Sequence, residues 1–285
     1  MTSVTVQQYS LATSRLFAQR GDVKMPATGF LLRRDDKFFF VTALHVLTGR
    51  HWQTKRLLSD TGFIPEEFVL KLPFIKTGNG QVCITWDDFR IAPTYENEEV
   101  APWLVHSKYK DDVDVGIFTL EDIPLRLLEM AKAAGKADLD SGIHAFEWNE
   151  STALTTAVAD EAFVIGFPEN INLGSELPIW KRANIASEPD LLVKGLPYVL
   201  IDTGTRQGMS GAPVVRRDAS GVVAHPSGNI SLATQPRTEL YGVYSARLGA
   251  DELTSQLGIV WPRRVIDEIL KSPSLGKSSL CTRLW

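Results

Sequence analysis

Residues 207–215 read Gln207-Gly-Met-Ser-Gly-Ala-Pro-Val-Val215, a serine bracketed by Gly208 and Gly211 just ahead of an apolar, β-branched run. Glycine lets a backbone take a left-handed turn or approach a bound group closely. A serine in that setting is either a turn residue before a strand or a nucleophile held up by backbone that no side chain crowds. Taken alone, Gly-x-Ser-Gly leaves both readings open, and the rest of the chain has to separate them.

Outward from this loop the sequence is strand-like. "GFLLRRDDKFFFVTALHVL" holds two apolar stretches, Phe30 to Leu32 and Phe38 to Thr42, parted by the charged cluster Arg33 to Lys37 as in a hairpin. "VCITW", "DVGIFTL", "AFVIGF", "YVLID", "APVVRR", "GVVAH", "NISLA" and "LYGVYSA" repeat the pattern between Gly- and Asn-bearing turns. Many short strands so punctuated point to an all-β class of barrels or sandwiches. Two stretches carry helical spacing instead. One is 121–136, at the junction between halves; the other follows Pro262, where Val265, Ile266, Ile269 and Leu270 share a face. A chain of 285 residues, 44% of them hydrophobic, suits two domains: 1–140, with an inserted loop at 50–110, and 141–285.

Composition removes several function classes. With 30 basic against 34 acidic residues and a net charge of −4, no basic field draws in phosphate backbones, so no nucleic-acid partner is expected. No apolar run approaches the roughly 18 residues that span a bilayer, and the N-terminus lacks an export signal. No membrane partner is expected either. Cys83 and Cys281 supply neither a disulfide framework nor zinc-site spacing. The expectation is a cytoplasmic protein with no metal and no cofactor.

Two further side chains matter beside Ser210. His45 ends the apolar run "FFFVTALHVL", where a lone histidine is ordinarily a core or cap residue. Asp114 opens the alternating run "DVGIF" after Asp111 and Asp112, where a lone acid is ordinarily a solvated loop edge. Together, in the order His45, Asp114, Ser210, each at a strand end or beside one, they can converge on one cleft. That set is what acyl transfer requires: a hydroxyl, an imidazole to take its proton, and a carboxylate to hold the imidazole in the right tautomer.

The local sequences carry a resemblance. "VTALHV" resembles the Thr-Ala-x-His strand end, "DVGIF" the Asp-x-Ala-x-Leu strand start and "GMSGAPV" the Gly-x-Ser-Gly-x-Pro loop of trypsin-like serine proteases, particularly their bacterial HtrA-like branch. "FVIGFP" is similar to the turn that opens that branch's second barrel, and the resemblance spans roughly residues 25–250. It implies two six-stranded antiparallel barrels, with the mid-chain helix between them and a C-terminal helix after them. The triad His45, Asp114, Ser210 would lie at their interface, with Asp112 as rival acid, and the amides of Gly208 and Ser210 would form the oxyanion hole. Departures are Ala212 after the Ser-Gly pair, Met209 before the serine and Gly116 after the acid.

The resemblance also implies a substrate pocket between Thr203 to Gln207, with Thr203, Gly204 and Gln207 lining it, and Tyr241 to Arg247. Tyr244, Ser245 and Ala246 would offer a strand edge to substrate backbone. Gly204 stands where trypsin proper carries an acid, so a small or apolar preference is expected rather than Lys or Arg. The chain after the second barrel is too short for the PDZ module usual in the branch. The expected function is a serine endopeptidase acting on protein or peptide substrates, restrained by a regulatory partner or by loop ordering. The alternative is a catalytically silent module that binds a peptide or partner protein in the same cleft. An α/β-hydrolase esterase is disfavoured, because Ser210 comes last in the order and Ala212 stands where Gly-x-Ser-x-Gly needs its closing glycine.

Overall fold

In the computed structural model the short apolar runs form strands; the structure describes residues 6–35, 37–78, 81–91, 100–120, 144–148, 156–171, 176–218, 222–224, 230–232, 237–248 and 256–277. After the short helix α1 (Gln8–Ala12) come β1 (Thr13–Arg20), β2 (Val23–Arg34), β3 (Lys37–Thr42) and the helical turn α2 (Leu44–Thr48). β4 (Glu67–Gly78), β5 (Gln81–Ile91), β6 (Val100–His106), β7 (Gly116–Thr119) and β8 (Phe146–Glu147) follow. The second half holds β9 (Glu161–Gly166), β10 (Ile179–Ile185), β11 (Val199–Asp202), β12 (Pro213–Asp218), β13 (Val222–Ala224), β14 (Ile230–Leu232), β15 (Arg237–Arg247) and β16 (Leu257–Pro262). Helix α3 (Arg263–Lys271) and β17 (Pro273–Lys277) end the described chain.

The second half closes a six-stranded barrel in the order β10-β11-β16-β15-β12-β9. The first half forms a nine-stranded sheet, β17-β6-β7-β3-β2-β1-β4-β5 with β8 added beside β2. Two of those nine strands, β8 and β17, come from beyond residue 140, so the C-terminus reaches back to pair with β6 from Pro273↔His106 to Lys277↔Val100. The hairpin read from Arg33 to Lys37 is the β2–β3 turn, with Asp35 at φ 55° and Arg34 opposite Lys37. Aspartate is among the few side chains that visit the left-handed region readily.

Three apolar clusters hold this together. Leu16, Phe40, Phe68, Leu70 and Trp103 fill the first sheet, while Val164, Val199, Met209, Val214 and Val260 fill the barrel. A third cluster, with Phe30, Trp52, Ile165, Tyr198, Trp261 and Ile266, joins the two across the seam. There Trp52, from the first half, meets Trp261 edge-on at 5.5 Å between ring centroids and Tyr198 at 6.0 Å. α3 buries Val265, Ile266 and Ile269, the face its spacing predicts, and His106 Nε2 lies 2.6 Å from Glu268 Oε2, tying β6 to α3.

The stretch 50–110, expected as an inserted loop in which only "VCITW" reads as a strand, contains three strands among the described residues, β4, β5 and β6. Pro73 and the adjacent Asp87 and Asp88 obscure their alternation, since proline and aspartate are depleted in strands. They sit in a hairpin whose outer half pairs only with itself, from Lys71↔Asp88 outward. The helix expected over 121–136 lies outside the described residues. Among the described residues no helix is long and apolar enough to cross a membrane.

Candidate active site

Strand β3 ends at Thr42, and the chain turns at once into α2, which lifts His45 out of the apolar run to the seam between sheet and barrel. Asp114 is delivered from the loop two residues ahead of β7 and is fully buried. It clasps His45 twice: the backbone N–H of His45 donates to Oδ1 at 2.7 Å, and Nδ1 lies 2.6 Å from Oδ2. Ser245 Oγ, also buried, donates to the same Oδ2. A carboxylate only accepts, so the shared hydrogen sits on Nδ1 and the Nε2 lone pair faces away from the acid. The His45 side chain keeps 12% of its surface, enough to meet a substrate.

Asp112, the rival acid, points elsewhere. Its side chain is 65% exposed, and its carboxylate lies 3.4 Å from Lys55 Nζ. Lys55 also donates to the carbonyls of Trp52 and Asp111, so the segment after α2 is fastened to the turn that leads to Asp114. With Trp52 anchored in the seam, the insertion braces the acid's loop from behind.

Ser210 sits on a loop held at several points. Gly211 N–H donates to Tyr244 O at 2.8 Å and Tyr244 N–H returns to Ala212 O at 2.8 Å, fastening the loop to β15. Thr28, buried in β2, holds it from the first half. Its N–H donates to Ser210 O at 2.9 Å, its hydroxyl donates to Gly208 O at 2.8 Å and accepts from Phe167 N–H at 3.2 Å, and its carbonyl accepts from Thr42 Oγ1 at 2.8 Å. The two flanking glycines are required sterically. Gly208 has φ 92°, and a Cβ there would lie 2.4 Å from Phe167 O; Gly211 has φ 84°, and a Cβ would lie 2.1 Å from Thr42 Oγ1.

The carbonyl of Gln207 turns toward Glu169, whose N–H reaches it at 2.6 Å. In a trans peptide the N–H points opposite to the carbonyl, so the Gly208 N–H faces away from Glu169. Among the described residues no hydrogen bond engages the N–H of Gly208 or of Ser210. Glu169 itself is held at φ 51°, in the left-handed region that side chains avoid, a local strain of the kind that collects at functional loops.

His45, Gln207, Gly208 and Ser210 line one cavity of about 270 Å³. Of the remaining residues tied to substrate by sequence, Gly204 is exposed, whereas Thr203 is buried with its hydroxyl on Arg182 O at 3.0 Å. Tyr244 and Ser245 are buried too, and Ala246 is half-buried. The expected strand edge is therefore backbone alone: the β15–β16 ladder breaks between Tyr244 and Arg247, leaving Ser245 and Ala246 without register partners. The Tyr244 ring turns into the barrel, where burial pushes its phenol up to about 12 and its hydroxyl hydrogen-bonds Thr205 Oγ1.

Sequence reasoning did not find Thr28, Lys55 or the apolar wall of the cavity. Thr28 had a signal, a lone hydroxyl inside the apolar run Ala27 to Leu32. Lys55 had none, because its role depends on where a distant loop passes. Among the described residues no three His, Cys, Asp or Glu side chains gather as a metal would need.

The family model of the trypsin-like peptidase domain matches residues 27–224. No curated protein matches the sequence. Solved structures similar to this chain include a serine endoprotease from Yersinia pestis, at 14% identity and TM-score 0.47 over 94% of this chain and 67% of that one. The protease Anisep from Arthrobacter nicotinovorans matches at 13% identity and TM-score 0.47, over 90% of this chain and 92% of that one. A thermostable serine protease from an extremophilic microorganism matches at 12% identity and TM-score 0.46, over 90% and 93%.

Proposed function

The chain belongs to the trypsin-like peptidase domain family, hydrolases of the serine-protease kind, and from that premise we propose that it is an endopeptidase working through Ser210, His45 and Asp114. The carrying observation is the double clasp of His45 by a fully buried Asp114, with His45 and Ser210 lining one cavity.

Neutral His45 takes the Ser210 hydroxyl proton at Nε2 while Oγ bonds to the substrate carbonyl carbon, and the carbonyl oxygen becomes an anion. The free N–H groups of Gly208 and Ser210 receive that anion, each such donor contributing roughly 10²–10³-fold to turnover. As the C–N bond breaks, His45 returns the proton to the departing amine and leaves an acyl ester on Ser210. Water, deprotonated by His45, cleaves the ester and restores the hydroxyl. Asp114 remains ionised throughout, holding the ring and offsetting the imidazolium charge.

Substrate is a protein or peptide whose backbone lies against the unpaired edge at Ser245 and Ala246. Of the two modes of restraint expected from the sequence, the geometry favours a partner over loop ordering, because the Ser210 loop is already held by Thr28, Glu169 and Tyr244. A fluorophosphonate probe tests the reading. Labelling of the wild type that disappears in Ser210→Ala and His45→Ala, together with peptide cleavage, supports it. A wild type that neither labels nor cleaves removes it in favour of a silent binding module.

A further inference from the structure

The two sides of the nucleophile are unlike. On the side toward β15, between Thr203 to Gln207 and Tyr244 to Arg247, the space is filled from within. Tyr244 is 3% exposed, its hydroxyl bonds Thr205 Oγ1, and its ring lies so close to Gly258 that a Cβ there would stand 2.7 Å from Cε2. Met209, Ala212, Ile201 and Val260 belong to the same buried cluster. A substrate side chain reaching this way meets a phenol ring held by a hydrogen bond and by close packing.

The opposite side is open. The cavity of about 270 Å³ at His45 and Ser210 takes the rest of its wall from the first half, including Met25, Pro26, Ala27, Val46 and Phe63. No residue of β15 and none of 203–205 contributes to it. Its size is just below the roughly 300–1,000 Å³ of small-molecule clefts, room for one side chain rather than a longer segment. The wall is thioether, ring and aliphatic carbon, with the polar groups confined to the catalytic end and Ser59.

Resting on the peptidase reading, we propose that this site selects its bond chiefly from the leaving-group side: a bulky apolar residue immediately after the scissile bond enters the Met25–Phe63 cavity, while Tyr244 confines the residue before the bond to Gly, Ala or Ser. If the acyl half of the substrate runs along Ser245 and Ala246, the departing amine must lie across Ser210 from β15, under His45, and its side chain faces the cavity. Burying an apolar side chain there excludes water from the site; filling the opposite space with a large acyl-side residue requires expelling Tyr244 from the core.

The test combines probe labelling with cleavage of a peptide library by the full chain. Wild type should cut after Gly, Ala or Ser, and prefer Leu, Met or Phe over Ala in the following position by about tenfold or more in kcat/KM, the scale on which an apolar pocket discriminates. Ala18→Leu, which adds volume at the cavity wall, should lower the preference for Phe at that position by about tenfold. The ratio of its kcat/KM for the Phe peptide to that for an N-acyl-alanine methyl ester, whose departing methanol is too small to reach that wall, should fall by about the same tenfold. Tyr244→Ala should admit Val or Leu before the bond. A labelled enzyme that cuts after Phe, Leu, Lys or Arg, or that is indifferent to the following residue, overturns this inference and leaves the peptidase reading standing. A chain that neither labels nor cleaves overturns both.

Discussion

Thr28→Val replaces a hydroxyl by a methyl of nearly the same shape at a fully buried position, and its consequences can be worked from the contacts. The hydroxyl donates to Gly208 O at 2.8 Å and accepts from Phe167 N–H at 3.2 Å; valine does neither. Each backbone group left buried without a partner costs about 1–3 kcal/mol, so the variant should lose about 2–6 kcal/mol of stability. The loss does not end in the core, because Gly208 contributes one of the two free amides at the cavity. Once its carbonyl is released, the Gly208–Met209 peptide that links the two free amides can rotate and spoil their common aim, and turnover should fall toward the roughly 10²–10³-fold cost of a missing oxyanion donor. Thr28→Ser keeps the hydroxyl and removes only a methyl, at about 1 kcal/mol. Urea unfolding gives the first quantity, and pre-steady-state acylation by an activated ester gives the second. Equal stability and equal acylation rates in the Val and Ser variants would refute the reasoning, since the hydroxyl would then be holding nothing.

Asp114→Asn should keep the fold yet lose about 10⁴-fold in turnover, because an amide NH₂ facing Nδ1 favours the wrong tautomer of His45. Asp112→Asn, whose exposed ion pair with Lys55 is worth about 0–1 kcal/mol, should retain activity within about threefold; steady-state kinetics on one ester substrate compares them, and a reversal would transfer the acid's role to Asp112. Gly211→Ala combines a left-handed backbone at φ 84° with a Cβ 2.2 Å from Thr28 O. Strain and overpacking together should cost about 2–6 kcal/mol by chemical denaturation. Burial pushes the phenols of both Tyr241 and Tyr244 up to about 12 from 10.0. Their contribution is fully present below the unfolded value near 10, and it is lost as pH rises toward 12, because the unfolded chain releases the phenolic protons first. Stability measured at pH 9 and pH 11 should fall by a few kcal/mol in the wild type and by less in Tyr244→Phe; an unchanged difference would contradict the burial of that ring.

The strands were legible because period-2 alternation is local: the turn at Arg33 to Lys37 and the face of α3 could be read from side chains a few positions apart. Around Pro73 nothing in the sequence marks β4, and of β5 only "VCITW" reads as a strand before Asp87 and Asp88 break the alternation, since their pairing depends on each other and on β1 rather than on composition. Tyr244 was read as part of an exposed edge because a tyrosine in an alternating run looks the same whether its ring faces solvent or core. Its direction depends on the space that Gly258, fourteen positions on in another strand, leaves open.

By itself the sequence determined the chemical inventory: a hydroxyl between two glycines, an imidazole at a strand end, acids before a strand, and the all-β elements that carry them. Those are properties of residue type and short-range spacing. Only the tertiary structure decided which acid clasps His45, that Thr28 holds the Ser210 loop, and that Tyr244 packs between Thr205 and Gly258 while a cavity lies between Ser210 and the Met25–Phe63 wall. Each of these depends on through-space distances between segments tens to hundreds of residues apart, and close packing at the seam between sheet and barrel sets those distances.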